Sequence, residues 1–217
     1  MSRRTATTRQ RSAVPVSRTE PQGQGPPQRH PPGRGTVSLV TSGCGVLYAL
    51  YRGYYGLGGT VGMFGRPASQ AQWRTINLAG AALVLVLALL PAAALPLWRR
   101  PHLRPVLLAV CWVLAVGFTM HGLVDDVQRV LSLAGALRID YPFFATVNRH
   151  AADIQDLAFN ETWFIGEGFL WGTLAWIGLG RSSARRWWTG TALAAIAVLA
   201  SIGLLSAFGI IGKFIVG

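Results

Sequence analysis

Three ionisable residues stand inside apolar runs of this chain: Arg52, His121 and Glu167. A charge within a membrane segment is costly and normally faces a partner or a wet cavity. Hydropathy puts all three at similar depth on three different helices, and the expected pairing is Arg52 with Glu167. Two uses fit such a pair. It can be a structural tie between helices, since a buried ion pair needs no chemistry. It can also line an outward-facing pocket in which Glu167 or His121 moves a proton. Tyr48, Tyr51 and Tyr55 flank Arg52, and their hydroxyls need partners in the same pocket.

A second constellation is His121-Gly-Leu-Val-Asp125-Asp126-Val-Gln128-Arg129. His121 and Asp125 are four apart and share a helix face, which Arg129 extends. A carboxylate beside an imidazole orients it and raises its basicity, the arrangement of a general base. The plainer reading is a solvated helix end with an Asp–Arg pair. Alternatively, these acids could hold a divalent ion with Glu161 or Asp153. No recognised ligand spacing is present, so neither a metal nor a cofactor is expected. A third group is Asn148-Arg149-His150 with Asp153, Asp156, Asn160 and Glu161. It reads as the charged face of a surface helix, Arg149 pairing with Asp153 and His150 at the edge of the apolar face.

These residues need helices to hold them. Five apolar segments follow a basic tail: about 36–59, 75–98, 105–124, 162–180 and 188–211, each near the roughly 20 residues that cross a bilayer core. Pro91 and Pro96 should kink or shorten the second. Residues 125–161 show helical spacing of apolar residues twice, so two short amphipathic helices are expected there, lying on the outer surface. The fold class is therefore an all-α, five-helix membrane bundle. Gly45, Ala49 and Gly53 form a small-residue stripe for close helix packing, and Gly203 with Ala207 forms another. Residues 1–35 are rich in Arg, Pro, Gln, Gly and Ser; they should be disordered and contain no signal-peptide core. Trp73, Trp98, Trp163, Trp187 and Trp188 fall at predicted boundaries, where indole rings favour headgroups. Cys44 and Cys111 read as two small buried hydrophobes.

Charge sets the orientation. Seven of the eight acidic residues lie between Asp125 and Glu167, while thirteen of the twenty basic residues lie in 1–35, 99–104 and 181–186. With five crossings all three basic segments fall on the cytoplasmic side, as the positive-inside rule requires. The expected location is a bacterial plasma membrane, N-terminus inside and C-terminus outside. The formal charge of +12 is explained by these flanks, and no nucleic-acid partner is expected.

Tyr54-Tyr55-Gly56-Leu57-Gly58-Gly59, followed by Gly62 and Pro67, resembles the Tyr-Trp-x-Leu-Gly-Gly first-helix signature of small actinobacterial integral membrane proteins of unknown function. His121 to Leu133 resembles a companion segment in them. Tyr55 departs from the usual Trp. The resemblance covers the chain after residue 36 and implies architecture and bacterial origin; it brings no activity.

Two functions fit. The first is a non-catalytic subunit or scaffold with a buried Arg–Glu pair, whose partner is another membrane protein or a second copy. The alternative is an enzyme acting on a lipid or isoprenoid by acid/base chemistry through Glu167, His121 and Asp125. A proton-coupled carrier ranks third, since the second and fifth segments are nearly devoid of polar residues and no inverted repeat is visible.

Overall fold

A computed structural model describes residues 33–212. The chain forms α1 (Arg34–Gly56), β1 (Gly65–Pro67), α2 (Gln70–Ala93), α3 (Arg104–Leu133), β2 (Phe144–Val147), α4 (Arg149–Gln155), α5 (Glu161–Gly178) and α6 (Ser182–Ala207). A 3-10 turn covers Leu97–Arg99, and a π-turn, Asp156–Asn160, joins α4 to α5 without a break. α2, α3 and α6 are long and apolar enough to cross a membrane, which marks a membrane protein. α1 and α5 are not apolar enough to be counted with them, so five crossings do not follow from length and composition. Their ionisable residues lower the average: Arg34 and Arg52 in α1, Glu161 and Glu167 in α5. Glu167, Trp171, Leu174 and Ala175 of α5 are buried.

Small residues set the helix pairs. Gly45 stands where a Cβ would lie 2.6 Å from the Ala88 Cβ, and Gly56 where it would lie 2.7 Å from Leu78. α1 and α2 therefore run antiparallel in close contact. A Cβ on Gly168 would lie 2.2 Å from Thr119 Oγ1, and one on Gly122 would lie 2.8 Å from the Glu161 carbonyl. These contacts seat α3 against α5, also antiparallel. Trp112 on α3 donates to Thr191 on α6 (3.2 Å), and Val124 meets Gly203. α6 thus runs parallel to α3, and α5 is the segment that carries the chain back between them. The core lies at one end: Trp98, Cys111, Ala115, Trp171, Leu174 and Ala175. Trp98 belongs to this core at 8% exposure, and Trp187 and Trp188 lie in the second turn of α6. Apolar side chains of α2 and α6 point outward, among them Leu83, Val86, Leu89, Leu193, Val198 and Ile202.

Several expected boundaries move. α1 begins at Arg34, inside the segment expected to be a disordered tail, and residues 1–32 lie outside the described residues. The expected surface helix after Asp125 is the continuation of α3, because no breaker interrupts 125–133. It stops at Gly135 (φ +74°), where Ala136 N–H bonds the Leu131 carbonyl and Gly135 N–H the Ser132 carbonyl. That is a Schellman ending, which needs the left-handed conformation glycine adopts freely. The second expected surface helix is α4, which runs through the π-turn into α5. Between them β2 pairs antiparallel with β1 from the α1–α2 connection, so the fold is not purely α. Asn148 caps α4 by accepting from Ala151 N–H (3.1 Å).

Candidate functional site

The ends of the bundle differ in charge. At one end three arginines bond the last carbonyls of α5. Arg34 donates to Ile177 O (3.2 Å), Arg104 to Gly178 O and Arg185 to Leu179 O (2.9 Å). Arg34 also lies over the Trp98 ring at 4.8 Å, and Arg185 over Trp176 at 5.2 Å. Cations at a helix C-terminus satisfy orphan carbonyls and oppose the helix dipole. The basic loops therefore have a packing role beyond charge asymmetry.

At the other end, the last turns of α3 face α4 and the π-turn, and Arg129 is the hub. Its guanidinium meets Asp156 at 2.9 Å and Asp153 at 3.4 Å, and donates to the Tyr141 hydroxyl at 2.8 Å. Ser132 and Tyr141 each donate to Asp153 at 2.6 Å. Asn160 donates to Asp156 at 2.6 Å and accepts from Tyr48 at 3.3 Å. The network thereby reaches α1, where Tyr48 also stacks on Trp163 at 4.0 Å. Gln155 donates to the Tyr51 hydroxyl at 3.0 Å, whereas Tyr55 donates to the Val61 carbonyl at 3.1 Å. Burial pushes Asp156 above the ordinary carboxylate range, against the pull of Arg129 and Asn160. Burial, and then the hydrogen bond to Asp153, pushes the Tyr141 phenol up. Arg149 does not pair with Asp153. It donates to the Ile139 carbonyl at 2.6 Å, because Asp153 is turned toward α3. His150 is exposed beside a shallow pocket that also borders Ser132, Arg138 and Asp153.

Next to this network His121 Nε2 lies 3.5 Å from Asp125 Oδ2. Glu161 joins them from α5, so that one ligand-type atom from each residue lies within 4.8 Å of the others. Gln128 donates to the other oxygen of Asp125 at 3.0 Å, and the His121 ring meets Phe164 edge-on at 4.4 Å. Glu161 is only 4% exposed, and its Oε2 has no hydrogen-bond partner. Asp126 also holds a buried, unpartnered oxygen.

Glu167 stands apart from this group. It is 3% exposed and its Oε1 is unpartnered. Arg52 and Glu167 form no ion pair among the described residues. Glu167 reaches α1 at Gly45, where a Cβ would lie 3.7 Å from its Oε1, whereas Arg52 lies over Gly80 of α2. Gly45 and Arg52 are two turns apart on one helix face, about 10 Å along the axis, so equal depth in the sequence becomes a miss in space. Ala49 and Gly53 complete the face that meets α2, Gly53 opposite Ala81. Of the two acids that sequence reasoning set beside His121 and Asp125, Glu161 is the one the fold brings there, while Asp153 goes to Arg129; the three arginine caps were not found. The Asp156–Asn160 spacing of four residues was a usable signal for that hydrogen bond.

Comparison with protein-family models, curated proteins and solved structures returned no match.

Proposed function

We propose that this chain is a five-span plasma-membrane protein, N-terminus cytoplasmic, that acts as a non-catalytic subunit or scaffold. Packing supports the five spans. α1 lies along α2, and α5 lies along α3 between two parallel helices, so if α2, α3 and α6 cross, α1 and α5 cross with them. The basic end then faces the cytoplasm and the acidic end faces outward. The observation that carries the scaffold reading is the interlocked Arg129 network, which ties α1, α3, the 134–148 connection and α4–α5 together. The outward apolar faces of α2 and α6 suit lipid or another membrane helix.

The buried ion pair of this reading is Arg129 with Asp153 and Asp156, in place of Arg52 with Glu167. A second reading, an enzyme acting on a lipid or isoprenoid, draws support from the unpartnered carboxylates of Glu161 and Glu167, close to His121 and Asp125 in the first case only.

Labelling with a membrane-impermeant maleimide in a Cys44→Ala/Cys111→Ala background tests the topology. Thr60→Cys and Ala136→Cys should react in intact cells, and Ser183→Cys only after permeabilisation. An N-terminal tag readable in intact cells would refute the crossing of α1. For function, a deletion strain should be restored by His121→Ala, Glu161→Gln and Glu167→Gln at normal protein levels. Failure of these variants despite normal accumulation would favour the enzyme.

A further inference from the structure

We infer that His121, Asp125 and Glu161 form a binding site for one first-row divalent cation, Zn²⁺ being the best match to the donors. The inference stands apart from the scaffold reading and needs no catalysis.

Three observations support it. The first is geometry. Tetrahedral ligands each about 2.1 Å from a zinc ion stand about 3.4 Å apart. His121 Nε2 and Asp125 Oδ2 are already 3.5 Å apart, and the three donor atoms lie within 4.8 Å of one another, so side-chain adjustments of at most about 1.4 Å close the site. The i, i+4 spacing places His121 and Asp125 on one face of α3, and Gly122 between them lets α5 approach closely enough for Glu161 to reach that face.

The second is an unmet need. Glu161 is 96% buried, counting from its 4% exposure, and its carboxylate has no hydrogen-bond or ion-pair partner, yet it is aimed at His121 and Asp125. A buried carboxylate oxygen without a partner is costly. Arg129 is already engaged by Asp153 and Asp156, and a bound cation would supply the missing partner.

The third is the surrounding shell. Gln128 donates to the Asp125 oxygen that His121 does not face, and Phe164 holds the imidazole edge-on. Metal ligands are commonly oriented by such partners. One imidazole with two carboxylates suits zinc or manganese better than magnesium or calcium, which favour all-oxygen shells. The His121 side chain is 40% exposed and that of Asp125 27%. The site therefore opens at its edge and leaves coordination positions for water or a ligand.

The test uses the full chain without a histidine tag, in nanodiscs, stripped with chelator. Zn²⁺ binding is read by calorimetry and by competition with a chromophoric chelator. One Zn²⁺ per chain is expected, bound at least about 10-fold more tightly than Mg²⁺ or Ca²⁺. Glu161→Gln and His121→Ala should abolish that binding with unchanged helical content, and Gln128→Ala should weaken it about 10-fold. His150→Ala should leave it intact. Absence of stoichiometric Zn²⁺ binding by the parent chain overturns the inference. So does binding that survives Glu161→Gln and His121→Ala but falls in His150→Ala.

Discussion

Replacing Arg129 with methionine should cost more stability than any other single change at the acidic end. The substitution keeps much of the aliphatic stem and removes the guanidinium, leaving Asp153 and Asp156 facing each other without their shared cation. The side chains concerned are 15%, 3% and 10% exposed, so solvent screening is weak. Breaking a buried pair from one side costs about 3–5 kcal/mol. The lower value is apt because Ser132, Tyr141 and Asn160 still bond the two acids. For a chain of this size that is a fall of roughly 6–12 °C in Tm, readable by circular dichroism of the full chain in nanodiscs.

Two controls sharpen the experiment. Adding Asp153→Asn and Asp156→Asn to Arg129→Met should recover about half of the loss, since the penalty comes from stranded charge. The deficit of Arg129→Met should also shrink on acidification. Asp156 has a raised folded-state pKa even with Arg129 present. The folded state then holds the proton more tightly than the unfolded chain. Its contribution to stability is full below the unfolded-state pKa and is lost as pH rises through the folded-state value. Removing the cation raises that value further and enlarges the loss at neutral pH. An Arg129→Met protein that melts within about 1 °C of the parent at neutral pH would refute the hub, since a fall of roughly 6 °C or more is expected.

Gly168→Leu should destabilise the α3–α5 pair by at least about 1–3 kcal/mol, because even a Cβ there meets Thr119; Gly190→Ala, in open space, should be neutral or slightly stabilising in the same melting assay. Glu167→Gln should leave Tm unchanged or higher, since its carboxylate has no partner; a loss greater than about 1 kcal/mol would reveal an interaction the described structure does not hold. Arg104→Gln should loosen the C-terminal end of α5, seen as faster amide exchange around Gly178 than in the parent, whose carbonyl it caps; unchanged exchange would argue against the cap.

Much of this architecture is visible in residue order alone. Long apolar runs mark α2, α3 and α6, and the separation of arginines from acids marks the two ends of the bundle. What the sequence withholds is how the helices are set against one another, in register and in azimuth. Hydropathy gives Arg52 and Glu167 the same depth, yet Glu167 meets α1 at Gly45, two turns from Arg52, and so hydropathy pairs two residues that are offset along the helix. Periodicity likewise cannot separate a surface helix from the free end of a spanning one, and Val127, Val130 and Leu131 are compatible with either. The Asp125–Glu161 contact is set by Gly122, whose missing side chain matters only once α5 is known to lie there.

The π-turn at Asp156–Asn160 has a consequence for how this chain tolerates change. It puts one extra residue into a helix that otherwise runs from Arg149 to Gly178, and Thr162 Oγ1 bonds the Leu157 carbonyl across five residues at 2.9 Å. An inserted residue rotates everything before it by about 100° relative to everything after it. The phase of the acids that meet Arg129 is therefore set independently of the phase that places Glu167, Trp171 and Leu174 in the bundle. Excising Ala158 would restore a regular helix and swing Asp153 off its partner while leaving the bundle side in register, so a length change of one residue would act there as a point mutation at several positions at once.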